Sequence, residues 1–188
     1  GAGKTTVFNS LTGLDADTGY SGKNKANLGL IKVPDARVDR LTEIYAPKKT
    51  TYAEVAFVDV AGPQGADSTK GLASGIMEQI QQSDALVHVI RAFDDAGASR
   101  PADALRDLQE FDGDLILSDL IKVENRIERL GREGKHASSE MTLMHRLHEQ
   151  LDSNRALRLL SFSESESQLT SGYQFMSLKP CLALINCG

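Results

Sequence analysis

The chain opens Gly1-Ala2-Gly3-Lys4-Thr5-Thr6 and runs directly into Val7-Phe8-Asn9-Ser10-Leu11, whose apolar positions fall at helical spacing. Gly-Lys-Thr opening a helix is the second half of a phosphate loop. The full pattern is Gly, four residues, then Gly-Lys-Ser/Thr between a buried strand and a helix. No other stretch constrains the fold as strongly, because such a loop belongs to an α/β sheet. The first glycine and its strand are expected before residue 1. The residue types follow from the chemistry. A glycine-rich turn lets successive backbone N–H groups face one concavity. The helix behind it adds unpaired amides and the positive end of its dipole. In such a loop Lys4 reaches the outer phosphates and the Thr5 hydroxyl holds Mg²⁺. The plain alternative is a glycine-rich tail with a chance Gly-Lys-Thr, so the motif needs a partner downstream.

Val55-Ala56-Phe57-Val58-Asp59 supplies one. It is an apolar, β-branched run fit for a buried strand. It ends in an acid, and Gly62 follows to complete Asp-x-x-Gly. An acid at the C-terminal end of such a strand lies where open α/β sheets place their ligands. In phosphate-loop enzymes it serves Mg²⁺, directly or through water. A strand-terminating carboxylate capping a turn is the bland reading of Asp59 alone. The combination with Gly-Lys-Thr about fifty residues earlier favours nucleotide binding.

Further elements follow the same periodicities. Strands are expected at Leu28–Val33, Tyr52–Val60, Ala85–Ile90 and Cys181–Ile185. Helices are expected after Pro34-Asp35, at Leu72–Gln82, from Pro101 to about Leu130, and at Ser138–Asp152. Leu117, Leu120, Val123, Ile127 and Leu130 suggest a coiled-coil-like seam. The last two helices therefore read as a helical hairpin, 115–152. A Ser/Glu-rich stretch at Ser161–Ser167 is suited to cap another helix. His88 alternates with apolar residues and reads as a core histidine. His145 and His148 lack the further ligands a metal site needs. Cys181 and Cys187 flank one strand and lie too far apart along it to bridge, so reduced core residues are expected. The net charge of −5 gives no general electrostatic case for nucleic-acid binding. No apolar stretch approaches the ~20 residues of a membrane span.

GKTT-FNSLTG, NLGLIKVPDARVDRL, EIYAPKKTTYAEVAFVDVAG, SDALVHVIRAFDD and LILSDLIKVENRIERL occur in this order. Together they resemble the Obg-like ATPase (YchF) subfamily of translation-factor-class GTPases, over nearly the whole chain. The resemblance implies a Ras-like phosphate-loop α/β domain, a three-layer sandwich, with a coiled-coil hairpin inserted between strands. Residues 1–188 are then a partial G domain whose first strand is missing, and the family's C-terminal TGS domain is absent. It also implies slow Mg²⁺-dependent hydrolysis of ATP or GTP, a cytoplasmic location and association with the ribosome or RNA. No membrane is involved, and a monomer is expected.

Carried over residue by residue, Gly1, Ala2, Gly3, Lys4, Thr5 and Thr6 match the phosphate loop. Thr5 and Asp59 match the Mg²⁺ site, and Gly62 the second switch. Asn186 matches the first residue of the base-reading motif. Cys187 stands where ordinary GTPases have Lys, so the choice between guanine and adenine stays open. Three positions bear on hydrolysis. Pro63 stands where Ras-type enzymes place a water-orienting glutamine, as the family's apolar residue there does; Gln64 is one position late. The loop 94–101 lacks the family's histidine. Its one basic residue, Arg100, is the only catalytic candidate, with a surface arginine the plainer reading. Lys23 aligns with the first-switch threonine; Thr18 or Ser21 are substitutes, or Lys23 itself contacts phosphate. A non-hydrolysing nucleotide-binding module with a coiled-coil docking surface is the second reading. A nucleotide kinase is a third, opposed by Asp-x-x-Gly and by the lack of an arginine-rich lid.

Overall fold

A computed structural model describes residues 2–16, 27–60, 74–95, 98 and 100–188. The chain divides into two compact units, residues 3–62 and residues 63–188 with residues 1–2.

The first unit opens with α1, Lys4–Thr12. Gly3 precedes it at φ 83°, a left-handed conformation that a side chain disfavours, and its carbonyl accepts the Val7 N–H at 3.0 Å. β1 (Asn27–Lys32) and β2 (Glu54–Asp59) form an antiparallel pair in which Asn27 faces Asp59 and Lys32 faces Glu54. Between them lies α2, Ala36–Tyr45, started by Asp35, whose carboxylate accepts the Arg37 N–H at 2.8 Å. Phe8 on α1 is the buried apolar anchor of this unit. It packs where β1 carries Gly29. A Cβ at Gly29 would lie 2.3 Å from Thr12 Cγ2 and 3.1 Å from Phe8 Cζ, so only glycine admits the helix this close.

The second unit holds α3 (Ser74–Gln82), β3 (Leu86–Arg91), α4 (Ala104–Arg132), α5 (Ser139–Asp152), a 3₁₀ turn (Leu157–Leu159), α6 (Glu164–Ser171) and β4 (Cys181–Asn186). β3 and β4 pair in parallel, Leu86 against Cys181 through Arg91 against Asn186. A parallel pair requires a crossover, and here α4, α5 and α6 supply it. Among the described residues the two strand pairs form separate sheets.

α4 and α5 pack as antiparallel arms. Asp103 caps α4 through the Arg106 N–H, and Ser138 caps α5 through the Met141 N–H. The seam is Ile116, Leu120, Val123, Ile127 and Leu130 against Met141, Met144, Leu147 and Leu151. Leu117, expected in it, is instead 58% exposed. The Leu115-Ile116-Leu117 run is apolar on every side, and packing selects Ile116, which restores strict heptad spacing. Each fully buried Leu or Met here contributes about 1.5–3 kcal/mol of transfer free energy. The segment after α5 folds back along the hairpin, placing Ala156, Leu157 and Phe175 in the same core. α6 begins with a complete capping box between Ser163 and Glu166.

Candidate functional site

The start of α1 and the end of β2 meet at one hydrogen bond. The Thr5 hydroxyl donates to Asp59 Oδ2 at 2.8 Å, across 54 positions of sequence. The Asn27 amide, opposite Asp59 in the β1–β2 register, approaches the same oxygen at 3.4 Å. Two local rules build this contact. Asp59 is the last residue of its strand, and Thr5 lies in the first turn of the helix that packs on both strands. Asn27 was not visible as a site residue in the sequence. Finding it requires the strand register, which sets it across from Asp59.

The α1 N-terminus differs from those of four other helices. α2, α4, α5 and α6 each begin with an Asp or Ser whose side chain accepts a backbone N–H. α1 begins with Gly3, and no side chain caps it. A glycine at this position supplies no capping side chain, as the helix behind a phosphate loop requires.

The Thr5–Asp59 pair fits Mg²⁺ in its donor chemistry. The hydroxyl gives its hydrogen to the carboxylate, which leaves hydroxyl lone pairs and the second carboxylate oxygen as hard ligands. Mg²⁺ is commonly held by one or two such protein groups, with water and phosphate oxygens completing six. Among the described residues no group of three or more His, Cys, Asp or Glu forms a cage of protein ligands. A phosphate-assisted Mg²⁺ site needs none.

The remaining sequence-derived positions are distributed as follows. Asn186 ends β4. Its amide nitrogen donates to the Ala2 carbonyl at 3.2 Å, and its amide oxygen accepts the Gly188 N–H at 3.2 Å. Gly1, Gly62, Pro63, Gln64, Thr18, Ser21 and Lys23 lie outside the described residues. Arg100 donates to Glu110 at 3.0 and 2.5 Å and to Asp107 at 3.2 Å. The Glu110 carboxylate beside it raises its pKa further, so this guanidinium is held on the α4 surface by two acids. The buried arginine of the region is Arg91, at the end of β3. It donates to the carbonyls of Phe93 at 3.0 Å and Arg100 at 2.6 Å, and so ties down both ends of the loop between them. A charged residue closing an apolar strand was the available signal. His88 lies half-buried against Phe111, with ring centroids 4.2 Å apart. Cys181 and Cys187 are free thiols but not core residues: Cys187, beyond the end of β4, is exposed, and Cys181 is half-buried, which pushes its thiol up.

An α/β chain with a glycine-led, uncapped helix and an acid paired to its first-turn threonine defines a phosphate-loop nucleotide-binding fold. Comparison with known proteins agrees. The chain is 33% identical over 194 residues to the ribosome-binding ATPase YchF of Bacillus subtilis and 32% identical over 197 residues to that of Pasteurella multocida. Each match covers 98% of this chain and 53% of the relative. The solved structure of the Schizosaccharomyces pombe YchF GTPase superposes with a TM-score of 0.78 at 27% identity, over 98% of this chain and 53% of that one. No family model matches. The chain is thereby placed among the YchF, Obg-like phosphate-loop proteins, and it spans about half the length of the curated relatives it matches. Among the described residues no helix is long and apolar enough to cross a membrane.

Proposed function

We propose that the protein binds ATP or GTP with Mg²⁺, hydrolyses it slowly, and acts as a ribosome-associated molecular switch in the cytoplasm. The observation that carries this reading is the Thr5–Asp59 contact at 2.8 Å, beside a helix N-terminus with no side-chain cap. Gly1 to Thr6 cradle the phosphates, with Lys4 on the outer ones, and Gly62 gives a backbone N–H to the γ-phosphate. Thr5 and Asp59 hold Mg²⁺, which, when bound, neutralises charge developing on the phosphates. Asn186 faces the base. In this switch reading, γ-phosphate contacts and their loss on hydrolysis set two states of the protein. The names of the curated relatives, ribosome-binding ATPases, support the ribosomal partner, and the solved relative's description as a GTPase supports the nucleotide class. The α4–α5 hairpin is the docking surface in this reading, and the working unit is a monomer.

The second reading is a non-hydrolysing nucleotide-binding module. The pairing of Arg100 with Glu110 and Asp107 favours it, because the one catalytic candidate is held by other groups. Single-turnover phosphate release from the whole protein separates the two. The account predicts release above the uncatalysed background, lost on Asp59→Ala and on removal of Mg²⁺. Tight binding with background-level release leaves the binding module alone.

A further inference from the structure

The sequence singled out the hairpin as a surface and Asn186 as a base contact. The structure joins them through a buried acid that neither role uses. Asp119, on α4, is 0% exposed. Its two carboxylate oxygens accept the N–H groups of Met176 at 3.0 Å and Ser177 at 2.7 Å. Lys122, one turn on, lies 3.8 Å from the same carboxylate and donates to the Gln174 carbonyl at 3.3 Å. Ser177 is held from its other side: its hydroxyl accepts the Leu157 N–H at 3.3 Å and its carbonyl the Arg158 N–H at 3.0 Å. Met176, also 0% exposed, packs with Leu115 of α4 and Ile80 of α3.

This segment runs directly into β4. Lys179 donates to the Gln81 and Ser83 carbonyls at the end of α3, and the Pro180 carbonyl accepts the Leu86 N–H at 2.8 Å, where the β3–β4 ladder begins. Six residues later β4 ends at Asn186. An extended strand rises about 3.3 Å per residue, so Asn186 stands about 20 Å along β4 from Pro180. Among the described residues β4 has one ladder neighbour, β3.

We infer that Asp119 is a positioning residue: from the base of the hairpin it fixes residues 176–177, and through β4 it sets where Asn186 meets the nucleotide base. The inference rests on the nucleotide-binding reading above. It ties the docking element to base recognition by side chains that touch neither ligand. A buried acid satisfied by two backbone amides also serves stability, so its test requires a readout that stability alone leaves unmoved.

That readout is affinity for ATP and GTP against affinity for inorganic tripolyphosphate, measured by calorimetry on the whole protein. The variants are Asp119→Asn, Asn186→Ala and the double variant. Coupling through a packed network predicts that Asp119→Asn weakens ATP and GTP by about three- to tenfold. Tripolyphosphate affinity stays unchanged, and the double variant loses no more than Asn186→Ala alone. Equal losses for tripolyphosphate, unchanged ATP affinity, or additive losses overturn the inference. If Asp119→Asn does not fold, amide exchange in the wild type decides. ATP, but not tripolyphosphate, then slows exchange at Met176 and Ser177, because coupling between sites is reciprocal; identical exchange with both ligands overturns it. A wild type that fails to bind ATP at all overturns the nucleotide-binding reading itself.

Discussion

Gly29 and Thr12 define how closely α1 can approach the strand pair, and so where Thr5 lies relative to Asp59. A methyl group at Gly29 would stand 2.3 Å from Thr12 Cγ2 and 2.9 Å from Thr12 Cβ. Thr12 cannot rotate away cheaply, because its hydroxyl donates to the Phe8 carbonyl at 2.8 Å and accepts the Leu14 N–H at 3.3 Å. Gly29→Ala is therefore expected to cost about 1–3 kcal/mol, as overpacking does. The measurement is the urea midpoint of unfolding. Adding Thr12→Ser, which removes Cγ2 and keeps the hydroxyl, restores part of the loss. An unchanged midpoint in Gly29→Ala contradicts the close approach. Gly29 drew no notice in the sequence, since a glycine in a strand announces a close neighbour without naming it.

At the scale of elements, the hairpin is held by polar ties as well as by its seam. Glu140 on α5 accepts from Arg126 of α4 at 2.8 and 2.9 Å and from the Tyr173 hydroxyl. The Tyr173 hydrogen bond, then Arg126, holds the Glu140 carboxyl below its usual range. A depressed folded-state pKa means the stabilisation is present above the unfolded-state pKa and is lost as pH falls through the folded value. Asp119 acts in the opposite sense. Burial raises its carboxyl, so its ionisation lowers stability as pH rises above the ordinary carboxylate range. The clean test is thus a difference. Glu140→Gln should lower stability at neutral pH by roughly 1–3 kcal/mol, since it removes charged hydrogen bonds. The gap from wild type should close on acidification. A gap independent of pH contradicts the assignment.

Most of these elements were legible in the sequence. Asp35, Ser138 and Ser163 start helices by capping chemistry that is local, and β2 and β4 are short apolar runs ending in a polar residue; the burial expected of β2 is not seen, since no residue of that strand is buried. What was not legible is long-range. Which residue of Leu115-Ile116-Leu117 enters the seam depends on α5, and the irregular stretch 153–178 gains its place only by packing back on the hairpin. Asp119 was passed over because a charged residue on a helix ordinarily faces water. Its partners are backbone amides 57 and 58 positions away, which carry no sequence signature. At the candidate site, Lys4, Thr5 and Asp59 came from motif spacing. Asn27 and Arg91 required the register of the strands.

At the largest scale, the helical hairpin lies within the crossover between β3 and β4 of the second unit. The segment entering β4 touches α3, α4 and the 3₁₀ turn within a few residues. The central claim is nucleotide binding at the start of α1. The most direct measurement is calorimetric titration of the whole protein with ATP and GTP in Mg²⁺, comparing wild type with Lys4→Ala. Removing a charge-assisted contact to phosphate predicts a loss of at least about tenfold in affinity. Equal affinity in the two proteins would contradict the account.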